Sequence, residues 1–171
     1  MHLFGKLLLR DALIQFGYQP EAALVIDHSK NDKPEFKNLE FEFNISHSGN
    51  YAICAASRNV KLGVDIEAIR EINLSDFKSV FTANELGRIR DSLKPTNKFL
   101  NFWTRKESVI KADGRGMSIP LSEFEVIENL IEYDNNLWFI KRLDISDLYA
   151  SHIALNKVDM QISYEEISYD R

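Results

Sequence analysis

The segment from Trp103 to Lys111 carries an acidic and a basic side chain at helical spacing. Its sequence, WTRKESVIK, predicts a helix in which Trp103, Glu107 and Lys111 lie on one side. An isolated Glu–Lys pair of this kind is common on solvent-exposed helices, where it contributes only about 0.2–0.5 kcal/mol. The pair therefore indicates chemistry only if other charged residues lie opposite it.

Two carboxylates stand at strand spacing further upstream, in the sequence LGVDIE over residues 62–67. The two-residue period of a strand places Asp65 and Glu67 on one face and directs Val64 and Ile66 into the core. Carboxylates this close repel each other and raise each other's pKa unless a cation screens them. The pair predicts a site for a hard divalent metal, although a solvated acidic pair is equally compatible with these residues alone.

A carboxylate from the helix, Glu107, would join the strand pair to give three oxygen ligands. Such an incomplete set suits Mg²⁺, which fills its octahedron with waters and substrate phosphates. It therefore predicts phosphoryl chemistry, in which Lys111, assisted by Lys106 and Arg115, would neutralise phosphate charge.

The sequence NISHSG over residues 44–49 predicts a strand that ends in a tight turn. The imidazole of His47, two serine hydroxyls and free backbone N–H groups would then share one rim, which is an arrangement that binds phosphate. The alternative is that Ser48 and Asn50 only form the turn and that His47 packs against it.

The predicted elements follow the order helix, antiparallel strands, helices, antiparallel strands. Apolar residues recur at a helical period over residues 3–16, and Thr82 with Glu85 forms a capping-box pattern. Helices are expected over residues 3–16, 75–81, 83–92 and 97–112, and strands over residues 40–47, 51–57, 61–67, 124–128, 130–133, 138–143, 149–155 and 160–164. The first three strands are expected to form an antiparallel meander, and two related halves are expected to join near Asn59.

The composition is typical of one globular domain or of two small halves packed together, with 171 residues of which 44% are hydrophobic. The net charge of -5 argues against nucleic acid or an anionic membrane as a partner. No apolar run approaches the roughly 20 residues of a membrane span, and no signal-peptide pattern is present, so we predict a cytoplasmic protein. The single cysteine, Cys54, is expected to be a buried strand residue without chemistry.

Three motifs, in this order, resemble those of the 4′-phosphopantetheinyl transferases, specifically the larger surfactin-synthetase-activating type. They are NISHSG over residues 44–49, GVDIE over residues 63–67 and WTRKESVIK over residues 103–111. Each motif is weak alone, but their order and intervals together are specific, and the similarity covers nearly the whole chain. The resemblance implies an α+β fold with two similar halves, residues 1–60 and 61–171, each a helix packed on a small antiparallel sheet. A pseudo-two-fold axis would relate the halves, with coenzyme A in the cleft between them.

The resemblance also implies a reaction, in which the 4′-phosphopantetheine group of coenzyme A is moved to a serine of an apo carrier protein. The carrier would be of the acyl, polyketide or nonribosomal-peptide type, the transfer would need Mg²⁺, and adenosine 3′,5′-bisphosphate would be released. On the matching positions Asp65, Glu67 and Glu107 would hold the metal, Glu107 would accept the serine proton, and Lys111 would stabilise the leaving group. The residues expected to bind coenzyme A are Lys33, Ser46, His47, Lys106 and Lys111.

Two departures from the family pattern accompany this resemblance. Asp32 stands where relatives usually have glycine, so an acidic side chain lies next to Lys33, which is expected to meet phosphate. Relatives also carry a first strand and basic residues ahead of the first helix, and we expect that this chain lacks them. Two halves in one chain imply a monomer, although a missing strand would leave an edge open to another copy.

Two other functions are compatible with the charged residues. A metal-dependent nuclease or phosphohydrolase also combines two acids on a strand with a nearby Glu and Lys, but this chain offers no evident basic groove. A module that binds coenzyme A or a carrier protein without turnover would follow from a missing N-terminal segment. The main prediction is the active transferase.

Overall fold

Three α-helices and eight strands make up the part of the chain that the structure, a computed structural model, describes: residues 2–24, 26–28, 33–77 and 79–169. The helices are α1 (His2–Gln15), α2 (Ala83–Arg90) and α3 (Pro95–Asp113). The strands are β1 (Asp27–His28), β2 (Pro34–Glu35), β3 (Glu42–Ser48), β4 (Tyr51–Ser57), β5 (Leu62–Ala68), β6 (Leu130–Tyr133), β7 (Asn136–Arg142) and β8 (Tyr149–Leu155). The predicted α+β class is confirmed.

The strands form antiparallel sheets of different size. β3 and β4 make a hairpin in which Ser48 pairs with Tyr51, and β1 pairs with β2. The larger sheet has the order β5-β8-β7-β6. The predicted three-stranded meander is therefore wrong, because β5 does not pair with β4. It pairs along its whole length with β8, from Leu62 opposite Leu155 to Ala68 opposite Tyr149.

Three apolar clusters hold these layers together. The first lies between α3 and the larger sheet and includes the fully buried Val109 and Ile140. The second packs α1 against the hairpin through Leu13 and several phenylalanines. The third joins the hairpin to the larger sheet, because Ile53 of β4 packs on a cluster that includes Val64 of β5. None of the helices in the described residues is long and apolar enough to cross a membrane.

The helix that carries the charged motif has well-defined ends. Pro95 occupies the first position of α3, where its missing N–H costs nothing, so the helix begins two residues before the predicted start. Gly114 ends it in the left-handed conformation with a φ of 90°, as predicted. The capping box of Thr82 and Glu85 at the start of α2 is also confirmed.

Two predicted strands are wrong, and one predicted helix is shorter than expected. Residues 124–128 form no strand because buried side chains occupy their backbone groups: Glu85 accepts from Val126 N–H, and Lys106 donates to the Phe124 carbonyl. Residues 160–164 form no strand either, although Met160 packs its side chain on the third cluster. The helix expected over residues 75–81 is a 3-10 turn over Leu74–Phe77, and residue 78 of that prediction lies outside the described residues.

Candidate active site

A polar cavity of about 290 Å³ opens where β3, β5 and α3 meet. We call it the central cavity. Side chains from all three predicted motifs line it: Ile45, Ser46, His47, Asp65, Glu67, Trp103, Glu107 and Lys111. The structure thus brings together the segments whose convergence the sequence alone did not establish.

Asp65 and Lys111 form an ion pair at the base of the central cavity. Nζ of Lys111 lies 2.6 Å from Oδ1 of Asp65, and the hydroxyl of Ser46 donates to the same oxygen at 2.9 Å. The other oxygen, Oδ2, is buried and has no hydrogen-bond partner in the described residues. Burial raises the pKa of Asp65, although the adjacent ammonium group opposes this shift.

Glu107 faces the same cavity from α3, one helical turn before Lys111. Burial is the main cause that raises its pKa to about 7, and the nearby carboxylate of Asp65 adds to the shift. A carboxyl group with this pKa exchanges protons near neutral pH, which is a property of general bases and acids in active sites.

Glu67 stands on the same strand face as Asp65, as the two-residue period predicted. Its Oε2 atom accepts a hydrogen bond of 2.9 Å from the hydroxyl of Ser48 on β3. The sequence suggests Ser48 as a phosphate-binding hydroxyl or as a turn residue, and it does not connect Ser48 with an acid. The regular alternation of Asn44, Ser46 and Ser48 along β3 is the signal that would have suggested one polar face.

The position of α3 over β5 depends on Gly63. A Cβ atom at this position would lie 2.2 Å from the carbonyl oxygen of Ser108 and 2.3 Å from the backbone nitrogen of Ala112. The helix backbone therefore rests directly on the strand at Gly63, two residues before Asp65. This close contact fixes how far the two metal-ligand candidates of the strand lie from the helix.

The donors around the central cavity suit a hard divalent cation. Three carboxylates, those of Asp65, Glu67 and Glu107, face one space, and the unpartnered Oδ2 of Asp65 is an available oxygen ligand. As the side chains stand, no three His, Cys, Asp or Glu residues in the described ranges form a ready-made ligand cluster. Since the carboxylate of Asp65 is paired with Lys111, it would have to turn toward the other two carboxylates to complete the set.

Lys106, which was expected to bind coenzyme A, lies away from the central cavity. It is completely buried, pairs with Glu85 at 2.9 Å and donates to the carbonyls of Leu121 and Phe124. All three protons of its ammonium group are thus used inside the protein, so the structure contradicts this prediction. One residue along a helix turns the side chain by about 100°, which separates Lys106 from Glu107.

Two other basic residues that the sequence suggests as phosphate contacts, Arg115 and Lys33, also have partners outside the central cavity. Arg115 pairs with Asp113 at 2.6 Å and with Asp134 at 2.8 Å, and it does not line the central cavity. Lys33 lies at the C-terminal end of α3, where its ammonium group is 3.4 Å from the carbonyl oxygen of Ala112 and 3.7 Å from Glu42. A phosphate-binding role for Lys33 remains a prediction, and Asp32 lies outside the described residues.

A buried histidine next to the site was not identified as important from the sequence. Nδ1 of His152 lies 2.8 Å from the hydroxyl of Thr104 on α3, and His152 pairs across the sheet with Asp65. Burial lowers the pKa of His152 to about 3, so this imidazole is neutral and joins helix to sheet. Cys54 is half-buried on β4, and burial raises its pKa to about 12, in agreement with a residue that has no nucleophilic role.

Comparison with known proteins agrees with the site. A family model described as the 4′-phosphopantetheinyl transferase superfamily matches residues 61–155. A second model, for the N-terminal part of a 4′-phosphopantetheinyl transferase, matches residues 1–59. The α+β fold, the central cavity and these matches point to one protein family. The chain belongs to the 4′-phosphopantetheinyl transferase superfamily, and the N-terminal region of the family is represented in residues 1–59.

Individual relatives agree with this assignment. The chain is 37% identical over 129 residues to the 4′-phosphopantetheinyl transferase gsp of Aneurinibacillus migulanus, an alignment that covers 74% of this chain and 54% of that protein. It is 28% identical over 180 residues to the 4′-phosphopantetheinyl transferase Sfp of Bacillus subtilis, covering 96% of this chain and 80% of that protein. The chain thus spans about half the length of the first relative and four fifths of the second.

Proposed function

We propose that this chain transfers the 4′-phosphopantetheine group of coenzyme A to a serine hydroxyl of an apo carrier protein and releases adenosine 3′,5′-bisphosphate. The observation that carries the proposal is the central cavity itself, where three carboxylates and Lys111 face one another between β5 and α3. Phosphoryl transfer needs little more than in-line positioning and neutralised charge, and these groups are suited to both tasks.

Asp65, Glu67 and Glu107 would hold a Mg²⁺ ion in the central cavity. When bound, the metal supplies positive charge to the pyrophosphate of coenzyme A. Lys111 is already held by Asp65 and Ser46 at the base of the cavity, where its ammonium group would face the phosphates and stabilise the departing one.

Glu107 is the proposed acceptor of the serine proton, because its pKa of about 7 matches the operating pH of a general base. The serine oxygen would form a bond to the phosphorus that carries the pantetheine arm. The bond from that phosphorus to the bridging oxygen of the pyrophosphate would break, the serine proton would go to Glu107, and the bridging oxygen would leave with adenosine 3′,5′-bisphosphate.

Ser46 and His47 would contribute to binding the nucleotide phosphates at the rim of the cavity. Ser46 is buried and already contacts Lys111, whereas His47 is exposed and therefore accessible to a ligand. Lys33 is proposed as a further phosphate contact. The carrier type, the monomeric state and the cytoplasmic location stay as predictions.

Intact mass spectrometry of apo carrier proteins tests this proposal. Acyl, polyketide and nonribosomal-peptide carriers are each incubated with the chain, coenzyme A and Mg²⁺, and the release of adenosine 3′,5′-bisphosphate is followed in parallel by chromatography. We expect at least one carrier to gain the mass of phosphopantetheine in step with nucleotide release. Tight binding of coenzyme A by calorimetry without any transfer would instead favour a binding module without turnover.

A further inference from the structure

The contact between β3 and β5 is built from side chains. The side-chain oxygens of Asn44, Ser46 and Ser48 accept hydrogen bonds from the backbone N–H groups of β5, at 2.9, 3.3 and 3.0 Å respectively. The three donors are Val64, Ile66 and Ala68. Because both series rise together along the chain, the strands run parallel, and three side chains take the place that carbonyls of a neighbouring strand would fill.

The two serines of this contact also reach the acidic residues. Ser46 donates to Asp65 and Ser48 donates to Glu67, each at 2.9 Å. A hydroxyl has one proton, and since each oxygen accepts an N–H from the strand, its own proton is free to point at the carboxylate. Each serine therefore links the backbone of β5 to the carboxylate of the preceding residue.

The two acids differ in how much they depend on their serine. Asp65 also has Lys111 as a partner. Within the residues that the structure describes, the carboxylate of Glu67 has no hydrogen bond or ion pair besides the bond from Ser48. A half-buried glutamate has several rotamers, so the orientation of Glu67 toward the central cavity depends on this one hydroxyl.

We infer that Ser48 is a positioning residue that orients Glu67 as a metal ligand of the central cavity. The inference rests on the proposed function, because it takes the metal-binding role of Glu67 from there. Hydrogen bonds that orient a metal-ligating carboxylate commonly change metal affinity by about 10–100-fold when they are removed. Asn44 provides the matched comparison, since it makes the same kind of bond to β5 but, in the part of the chain that the structure describes, has no hydrogen bond to either acid.

The test measures Mn²⁺ binding by electron paramagnetic resonance, with and without coenzyme A, in the wild type and in Ser48→Ala, Ser48→Thr and Asn44→Ala. We expect Ser48→Ala to weaken Mn²⁺ binding by about tenfold or more and to raise the Mg²⁺ concentration for half-maximal transfer similarly. Ser48→Thr keeps the hydroxyl and should restore both values. Asn44→Ala should lower the thermal midpoint as Ser48→Ala does but leave the metal affinity unchanged.

Several outcomes would overturn the inference. They are unchanged Mn²⁺ affinity in Ser48→Ala, failure of Ser48→Thr to restore it, equal weakening in Asn44→Ala, or no Mn²⁺ binding by the wild type. A wild type that modifies carriers while Ser48→Ala keeps normal metal affinity contradicts the positioning role alone. A wild type that binds Mn²⁺ through Ser48 yet modifies no carrier supports the positioning role and contradicts the proposed function.

Discussion

Nζ of Lys111 on α3 lies 2.6 Å from Oδ1 of Asp65 on β5, so the helix and the strand are joined by opposite charges at the base of the central cavity. Replacing Lys111 by Met leaves a buried carboxyl group without its cation. We expect the free energy of unfolding to fall by about 1.5–3 kcal/mol, because a charged hydrogen bond is lost. The transfer rate should fall by about 10²–10³-fold. Denaturant titration and carrier modification measure the two effects.

Lys98→Met is the control for this substitution. Lys98 lies on the same helix, but its ammonium group rests over the ring of Phe102 at 4.8 Å, away from the central cavity. Its replacement should leave transfer unchanged. Normal transfer by the Lys111 variant would contradict the role assigned to this lysine.

The raised pKa of Glu107 predicts a pH-dependent penalty on folding. Since burial raises the pKa from 4.5 to about 7, the folded state binds more protons than the unfolded state in this window, and stability falls as the pH rises through it. Glu107→Gln removes the charge and should therefore raise the thermal midpoint at pH 8 but not at pH 4. A gain of about 1 kcal/mol would appear as about 2–4 °C in a domain of this size.

The same variant should not transfer phosphopantetheine, because an amide cannot accept the serine proton. Stability and activity thus move in opposite directions at pH 8. Thermal melts over this pH range in metal-free buffer measure the first effect. If the thermal midpoint of Glu107→Gln equalled that of the wild type at every pH, the result would contradict a raised pKa of Glu107 in the folded protein.

Gly63→Ala tests the close contact between α3 and β5. A Cβ atom would fall within 2.3 Å of the helix backbone, so the helix must move. Overpacking of this kind costs about 1–3 kcal/mol, and a displacement of about 1 Å in the groups carried by the helix would reduce transfer about 10²-fold. Differential scanning calorimetry and the transfer rate are the measurements.

Gly87→Ala is the matched control for Gly63→Ala. Gly87 lies within α2, and a Cβ there would have Arg90 as its nearest neighbour at 3.9 Å. Alanine at this position should stabilise the protein by about 0.5–1 kcal/mol and leave transfer intact. If both glycine variants behaved alike, the contact at Gly63 would not be what positions α3.

The substitution Lys106→Met tests whether Lys106 stabilises the fold or binds coenzyme A. Lys106 and Glu85 are both completely buried and lie 2.9 Å apart, so removing one charge should cost about 3–5 kcal/mol. The KM for coenzyme A should stay at the wild-type value in the folded fraction. Adding Glu85→Gln to Lys106→Met should recover part of the stability, because the remaining buried charge is removed. A large rise in KM with normal stability would reinstate Lys106 as a coenzyme A contact.

Much of the site was predictable because strand and helix periods are local properties. The two-residue period placed Asp65 with Glu67, and the i, i+4 spacing placed Glu107 with Lys111. The helical period also separates Lys106 from Glu107, but the positive charge of Lys106 favoured a phosphate-binding role for it. The buried partner of Lys106 comes from another helix and has no local signal.

The remaining differences arise from contacts between distant segments. β5 pairs with β8 instead of β4, and no local pattern distinguishes these partners. Residues 124–128 have the composition of a strand, but Glu85, Arg105 and Lys106 take up their backbone groups. The bond from Ser48 to Glu67 requires β3 and β5 to run side by side, which only the folded chain establishes.

Intact mass spectrometry of an apo carrier protein after incubation with the folded chain, coenzyme A and Mg²⁺ tests the central claim most directly. We predict that the wild type adds one phosphopantetheine mass to the carrier and that addition of EDTA or the Glu107→Ala substitution prevents it. A folded wild type that leaves acyl, polyketide and nonribosomal-peptide carriers at their apo mass, or a Glu107→Ala variant that transfers at the wild-type rate, would contradict the account.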